Sequence, residues 1–156
     1  MPHPERAITD RVAIDDILQQ GAVCHLAMVD GDRPYVVPLC YGYRDGTLYA
    51  HCAREGRKTD VLRRNAAVCF EVSVDVELVP AGRPCGWSMR YRSVIGAGRA
   101  TLVDAPEEKR AALDVIMSHY GDRPGEDGSY RYGDAALANM LIIRVDVESL
   151  SGKQNQ

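Results

Sequence analysis

The sequence lacks the features that mark several large classes of protein. No apolar run approaches the roughly 20 residues that a membrane-spanning helix needs. The first residues, MPHPERAITD, contain no apolar segment of a signal peptide. Cations are not in excess, because 19 Lys and Arg face 22 Asp and Glu, for a net charge of −3. We therefore expect a cytoplasmic protein that binds neither membranes nor nucleic acid in general.

The five cysteines lack the pattern of a disulfide framework or a metal centre. Their number is odd, and no CxxC pair occurs. Cys24–His25 and His51–Cys52 are adjacent pairs of potential ligands, but neighbours in a strand point to opposite faces. Each pair offers one ligand to a face, so we predict neither disulfides nor a metal site.

Length and composition are those of one globular domain. The chain has 156 residues, of which 46% are hydrophobic and 26% charged, enough for a core that needs no cross-links. It contains no repeats, low-complexity tracts or internal linker. We predict a single domain over residues 1–156, with residues 1–9 and 150–156 as peripheral tails.

Most of the chain reads as strands joined by short turns. The alternation of apolar with polar residues is clearest after position 67, as expected for a half-exposed antiparallel strand. Asp30-Gly31-Asp32 is typical of a hairpin tip. The predicted strands are Ala22–Val29, Pro34–Tyr43, Thr47–Ala53, Val68–Val79, Arg90–Leu102 and Met140–Val147. The final SGKQNQ is predicted to be a polar tail.

Helices are predicted at the margins of these strands. The first follows a capping Asp10 and stops at Gly21, and a short one lies near Thr59–Arg64. The third opens at Asp104-Ala-Pro-Glu107, which resembles a capping box with an early proline. The polar, glycine-rich Gly121–Gly133 is predicted to be a mobile loop. Six strands with marginal helices predict a mainly β protein, a closed or nearly closed antiparallel barrel.

The segment Leu48–Asn65, LYAHCAREGRKTDVLRRN, carries the clearest functional signal. A short strand with His51 leads through a glycine loop to paired cations at a helix start. A helix start offers unpaired N–H groups and the positive end of the helix dipole, and Arg57 and Lys58 add donors and charge. The segment predicts a phosphate site. The alternative is a strand–turn–helix joint with two solvated cations.

Pro38 adds a second signal within the second predicted strand. A proline there implies an edge strand, a bulge or an interrupted ladder. An interrupted ladder would leave backbone polar groups free for a ligand. Because His51 stands just upstream of the cations on its strand, the phosphate predicted above would belong to a cofactor whose reactive end lies farther along the sheet.

Three segments, YAHCAREGRK, YRSVIGAGRA and VESLSGKQN, occur in this order along the chain. Together they resemble the flavin-binding split-barrel superfamily of pyridoxamine 5′-phosphate oxidase, and are most similar to its nitroimidazole-resistance (Nim) branch. The resemblance covers nearly the full length. It implies a six-stranded antiparallel split β-barrel of Greek-key topology, and a homodimer with FMN bound in two clefts along the subunit interface.

The resemblance also assigns roles to individual residues. His51 corresponds to a histidine close to the flavin and the substrate, and is the catalytic candidate. Arg57 and Lys58 correspond to the cations on the FMN phosphate. The other positions implied to contact the flavin are Val37, Pro38 and Leu39 at the ring, Cys52 at the strand end, and Tyr91, Arg92, Ser93 and Val94 from the partner subunit.

Four further residues are candidates for contact with substrate. Tyr41 either lines the cleft or packs in the core, and Trp87 either covers a cofactor or packs in an interface. Arg90 could receive an anionic substrate or an acidic dimer mate, and Lys153 could reach the cleft. The chain departs from the oxidase pattern, because Gly56 replaces a serine and the ending SGKQNQ lacks the arginine that binds substrate phosphate. Vitamin B6 oxidation is therefore not expected.

These signals predict an FMN-dependent oxidoreductase of the flavin reductase or nitroreductase type. Reduced flavin would pass a hydride or electrons to a small, flat, electron-poor substrate such as a nitroaromatic, with NAD(P)H as a possible donor. The alternatives are a split-barrel protein that uses the deazaflavin F420 or haem, a flavin-binding module without activity, and an interaction protein that kept only the barrel.

Overall fold

The structure, a computed structural model, describes residues 3–121 and 130–155. The helices are α1 (Arg11–Gln20), α2 (Arg57–Arg64), α3 (Pro106–Tyr120) and α4 (Asp134–Ala138). The strands are β1 (Ala7–Ile8), β2 (Cys24–Asp30), β3 (Arg33–Leu39), β4 (Gly42–Arg44), β5 (Thr47–Ala53), β6 (Ala67–Val79), β7 (Ser88–Val103) and β8 (Met140–Asn155). None of the helices in the described part of the chain is long and apolar enough to cross a membrane.

The strands form one antiparallel sheet that curves round a core. Their order is β3-β2-β6-β7-β8-β5-β4, with β1 paired to β8. β3 and β4 lie at opposite ends of this order, yet only Cys40 and Tyr41 separate them in the chain. So short a link spans roughly 10 Å, so the two ends of the sheet must come together. No ladder joins them within residues 3–121 and 130–155, and the barrel is split rather than closed.

Alternate residues of the strands fill the barrel. In β2, Cys24, Leu26 and Met28 are buried and the intervening side chains point outward. α1 covers one end of this core with Ile17 and Leu18. A smaller core lies outside the barrel, between α3, α4 and β8. The predicted mainly β fold of six antiparallel strands with flanking helices is confirmed, with the short β1 and β4 as additions.

The second predicted strand, Pro34–Tyr43, is wrong in extent because the chain bends after Leu39. At the bend the backbone N–H of Tyr41 donates to the hydroxyl of Tyr120 on α3 (2.9 Å). Gly42 lies so close to α3 that an added Cβ would stand 2.7 Å from the carbonyl group of Val115. Of the alternatives for Pro38, the edge strand is the one found, because among the described strands β3 pairs only with β2.

The strand predicted to end at Val147 and the polar tail predicted from residue 150 are also wrong in extent. β8 continues to Asn155, pairs with β7 over this length, and pairs with β1 at Gly152 and Lys153. Backbone pairing with two neighbouring strands does not require apolar side chains, so the hydrophobic pattern did not indicate that β8 continues. At the other end of the chain, Ala7–Ile8 likewise belongs to the sheet rather than to a tail.

The capping box predicted at the start of α3 is wrong, although the early proline is found at its first turn. Asp104 accepts two hydrogen bonds from Arg54, both 2.6 Å, and one ion pair from Lys109 (2.6 Å). The pKa of Asp104 lies well below its usual range, mainly because of the hydrogen bonds from Arg54 and secondly because of Lys109. Lys109 is only 2% exposed and also donates to the carbonyl of Leu137 (2.7 Å). Of the predicted loop Gly121–Gly133, residues 122–129 lie outside the described residues.

Candidate functional site

The two predicted phosphate-binding cations stand at the first positions of α2. Gly56 precedes the helix with φ +126°, a conformation that favours glycine. The hydroxyl of Thr59 donates to the Gly56 carbonyl (2.7 Å), which fixes this first turn. Arg57 is exposed and Lys58 is half-buried. The short helix is thus confirmed, and it begins two residues earlier than predicted.

Arg57 is held by two residues of the β2–β3 hairpin. Its Nε donates to Oδ2 of Asp30 (2.9 Å), and its guanidinium carbon lies 4.2 Å from the centroid of the Tyr35 ring. Within the described residues, its two terminal amino groups have no hydrogen-bond partner. Arg57 is therefore not a fully solvated cation, and its terminal N–H groups remain as hydrogen-bond donors for a ligand.

Asp30 joins both ends of α2 to the hairpin. Its second carboxylate oxygen accepts a hydrogen bond from Arg64 (2.7 Å), which lies about two turns after Arg57 on the same face of the helix. Arg57 first, and Arg64 with it, lowers the pKa of Asp30. In the described part of the chain Lys58 makes no ion pair. The corner thus carries three cations and one carboxylate, and its net charge is positive.

The predicted ring-binding segment lies on the edge strand β3. Val37 and Leu39 turn their side chains toward the core, whereas Pro38 is exposed. Within residues 3–121 and 130–155, β3 pairs on one side only, so no ladder there uses the backbone groups on its other side. A flat ligand could reach backbone there, and side chains of Val37 and Leu39 would not touch it.

His51 and Cys52 point to opposite faces of β5. His51 is exposed and has no hydrogen-bond partner in the described residues. Cys52 is buried, and this burial raises the pKa of its thiol. A ligand on the outer face would therefore meet the imidazole of His51 and only the backbone of Cys52.

The segment Tyr91–Val94, which the resemblance assigns to the flavin of the partner subunit, contains residues that differ in how free they are to contact a ligand. Val94 is fully buried in the barrel. Arg92 is bonded within its own chain, to Asp75 (2.6 Å), Asp16 (2.9 Å) and Gln20 (3.1 Å). Ser93 is half-buried and lies beside Lys153 in the β7–β8 register.

A cleft of about 320 Å³ brings several candidate residues together. Its lining is Asp75, Arg90, Tyr91, Arg92 and Asn155. Arg90 there donates to Glu77 (2.6 Å), so its charge is partly neutralised. Trp87 is exposed at the tip of the same hairpin and donates to the Ala81 carbonyl (2.8 Å).

Tyr41 is not available to a substrate. Its ring is fully buried and its hydroxyl donates to the Leu18 carbonyl (2.7 Å). The assignment of Tyr41 to substrate is wrong, and its alternative, core packing, is confirmed. The cause is the bend after Leu39, which turns this side chain under α1 and α3.

Sequence reasoning missed a polar group on the outer face of the sheet. The imidazole Nδ1 of His25 donates to Glu71 (3.1 Å), whose other oxygen accepts from Ser73. His25 lies directly beside Pro38 in the β2–β3 register. Alternation could have shown that these side chains point outward, but only the register shows that they are neighbours.

The outer face of the sheet also carries exposed apolar side chains. Val36, Ala27, Cys69 and Ala97 follow one another across four strands, with Ile95 next to them. The β6–β7 register then shifts by one residue beside Asp75, whose φ is +55°. The shift brings Leu78 opposite Met89, which shares its face with Ile95 because six residues separate them. This outer apolar face comprises Val36, Ala27, Cys69, Ala97, Ile95, Leu78 and Met89.

Comparison with known proteins agrees with this architecture. The model of the pyridoxamine 5′-phosphate oxidase family matches residues 10–154, and the chain belongs to this family. A candidate 5-nitroimidazole antibiotic resistance protein from Bacteroides thetaiotaomicron is 36% identical, with a TM-score of 0.82, over 95% of this chain and 86% of that one. The predicted resemblance is thereby confirmed.

Two more distant structures share the fold. The flavocytochrome Anf3 from Azotobacter vinelandii has a TM-score of 0.85 at 21% identity, over 100% of this chain and 72% of that one. An FAD- and haem-binding protein from Mycobacterium smegmatis has a TM-score of 0.84 at 23% identity, over 97% and 74%. No curated protein matches the sequence of this chain.

Proposed function

We propose that this protein is a cytoplasmic, FMN-dependent oxidoreductase that acts as a homodimer. The observation that carries the proposal is the positive corner at the start of α2, where Arg57 keeps two terminal amino groups open beside the edge strand β3. Membership in the pyridoxamine 5′-phosphate oxidase family supports a flavin as the ligand. The phosphate and the ring of FMN would then lie along one strand edge.

Each part of the site has a defined task in this proposal. Arg57, Lys58 and the free N–H groups of the first turn of α2 bind the phosphate. The unpaired backbone of β3 near Pro38 meets the ring, and His51 borders the face that remains open. FMN, when bound, supplies the hydride or electron transfer, and the protein binds, orients and shields.

The homodimer is supported by the outer apolar face. Exposed apolar patches of this kind on a folded chain mark interaction surfaces. Ser93 lies on the same side of the sheet as Ile95, two residues along β7. In a dimer formed through this side, Ser93 and Tyr91 of one copy would reach the flavin of the other, while Arg92 would stay in its own ion pairs.

The substrate class follows from the open side of the site. A small, flat, electron-poor molecule such as a nitroaromatic would stack beside His51, and NAD(P)H would supply the electrons. The 36% identity to a candidate 5-nitroimidazole resistance protein supports this class. Vitamin B6 oxidation is not proposed, because Gly56 stands where the oxidase pattern has a serine.

The test is a spectrum of the purified protein followed by titration with FMN. We expect a yellow protein, and loss of FMN from the double variant Arg57→Ala, Lys58→Ala with an unchanged fold. Arg110→Ala is the matched control, because Arg110 pairs with Asp134 away from this corner (3.0 Å). A haem or deazaflavin spectrum, or FMN binding that the double variant retains at wild-type affinity, would refute the proposal.

A further inference from the structure

The carboxylate of Asp30 is less exposed than the two arginines that it binds. Its side chain is 24% exposed, against 56% for Arg57 and 61% for Arg64. Its two oxygens are divided between the arginines, one at the first and one at the last position of α2. Asp30 thus determines where both guanidinium groups stand relative to the β2–β3 hairpin.

This arrangement restricts the position of the Arg57 side chain but does not occupy all its hydrogen-bond donors. Asp30 engages only Nε, and the Tyr35 ring supports one face of the guanidinium plane. Four N–H groups on the two terminal nitrogens remain for a ligand. A long arginine side chain ordinarily loses rotamer freedom when it binds an anion, and here that freedom is already restricted.

The charges at the corner match one kind of ligand. Arg57, Lys58 and Arg64 against Asp30 leave a net charge of +2. A phosphate monoester carries about −1.5 to −2 at pH 7 and offers three acceptor oxygens. A ligand without a terminal phosphate, such as riboflavin, would gain nothing from the corner.

We propose that Asp30 is a positioning residue that holds Arg57 for the phosphate of the flavin and so makes the site select FMN over riboflavin. This inference rests on the proposed function. Asp30 also repels a phosphate, so two effects of opposite sign compete. The repulsion acts through solvent across the guanidinium group and is screened over about 8 Å at 0.15 M salt, whereas the loss of orientation acts by direct contact. Orientation therefore dominates.

The experiment measures dissociation constants for FMN and riboflavin, by flavin fluorescence at 0.15 M salt. The variants are Asp30→Asn, which keeps one acceptor oxygen, and Asp30→Ala, which keeps none. The control is Asp146→Asn, because Asp146 also accepts from an arginine Nε (Arg144, 3.0 Å) but lies on β8. Thermal unfolding of each protein without flavin confirms that it is folded.

We expect FMN affinity to fall about tenfold in Asp30→Asn and further in Asp30→Ala, since a hydrogen bond to a charged group is lost. Riboflavin affinity should stay within about twofold, as should both affinities in Asp146→Asn. In an Arg57→Ala background, Asp30→Asn should cause little further loss, because the guanidinium group that Asp30 holds for the phosphate is already absent.

Three results would overturn the inference. FMN affinity that rises from Asp to Asn to Ala would show that repulsion dominates. Equal losses for FMN and riboflavin would show a general structural role. If the wild type binds FMN and the Asp30 variants bind it equally well, the role of Asp30 is rejected and the proposed function stands. If the wild type binds no flavin, the proposed function is refuted as well.

Discussion

The guanidinium group of Arg57 lies 4.2 Å from the centroid of the Tyr35 ring, which joins the first turn of α2 to β3. Arg57 lies on the helix that links β5 to β6, and Tyr35 lies on β3, which is two strands from β6 in the sheet order. The contact therefore depends on the tertiary fold, which places the start of α2 against β3. The contact places the phosphate corner at the start of α2 next to β3, the strand that carries the candidate ring site.

This contact predicts that Tyr35 contributes to flavin binding through its ring. Tyr35→Leu should weaken FMN binding about two- to fivefold, because a cation–π contact at an exposed site is modest. Tyr35→Phe is the matched control and should bind FMN like the wild type. Titration of flavin fluorescence measures both, and equal losses in the two variants would point to the hydroxyl instead.

The outer apolar face predicts a dimer that a single charge can dissociate. Ile95 is 52% exposed, so Ile95→Asp should leave the fold of one chain intact while it removes the dimer and lowers FMN affinity. Val12→Asp is the control, since Val12 is 75% exposed on α1 and outside that face. Light scattering after gel filtration gives the masses. A dimer that survives Ile95→Asp would contradict the assigned interface.

The outer side of the sheet carries two histidines, His51 and His25, so the effect of replacing His51 can be compared with that of replacing His25. His51→Gln should lower kcat for a nitroaromatic substrate and leave FMN affinity within about twofold, because its imidazole borders the open face and binds no phosphate. His25→Gln provides the comparison, since His25 is paired with Glu71. Steady-state kinetics with NAD(P)H decides, and a larger kcat effect at His25 would move the catalytic assignment to that residue.

Asp104 predicts a pH dependence of stability. Its pKa is lowered in the folded protein, first by Arg54 and then by Lys109, so its contribution to stability is complete above the ordinary Asp pKa of 3.8. That contribution is lost as the pH falls below this value toward the lower folded pKa. Asp104→Asn should therefore destabilise the protein at pH 7, and the difference from wild type should narrow at pH 3.

Urea unfolding at the two pH values measures this difference. Asp134→Asn is the control, because Asp134 also pairs with an arginine (Arg110, 3.0 Å) but is 94% exposed. It should change stability little at either pH. An Asp104→Asn variant whose deficit is the same at pH 3 and pH 7 would show that its ion pairs are not responsible.

Gly42 should be sensitive to the smallest side chain. Gly42→Ala would place Cβ 2.7 Å from backbone atoms of Val115, so α3 would have to move. We expect a loss of about 1–3 kcal/mol in the free energy of unfolding, as for other overpacked sites. Gly82→Ala is the control, because no atom lies within 4 Å of an added Cβ there. Urea denaturation compares them, and equal stabilities would exclude close packing at Gly42.

Local patterns predicted what depends on near neighbours in the chain. The alternation in β6, the Asp10 cap of α1 and the glycine before α2 each act within a few residues, and the structure has them all. The capping box predicted at Asp104 is wrong chiefly because of a distant residue, since Arg54 precedes Asp104 by 50 positions and donates two hydrogen bonds to its carboxylate. Arg54 and Lys109 offer this carboxylate charged partners, which bind it more strongly than backbone N–H groups do.

Sequence patterns were enough to predict most of the strands, the helix start beside Arg57 and the resemblance to a flavin-binding family, because periodicity, capping and motif order depend on residues close together in the chain. The tertiary structure alone decided that Tyr41 is buried, that residues after Val147 complete β8, and that Asp30 and Tyr35 hold Arg57. These depend on the curvature and register of the sheet, which place residues far apart in sequence within hydrogen-bonding distance.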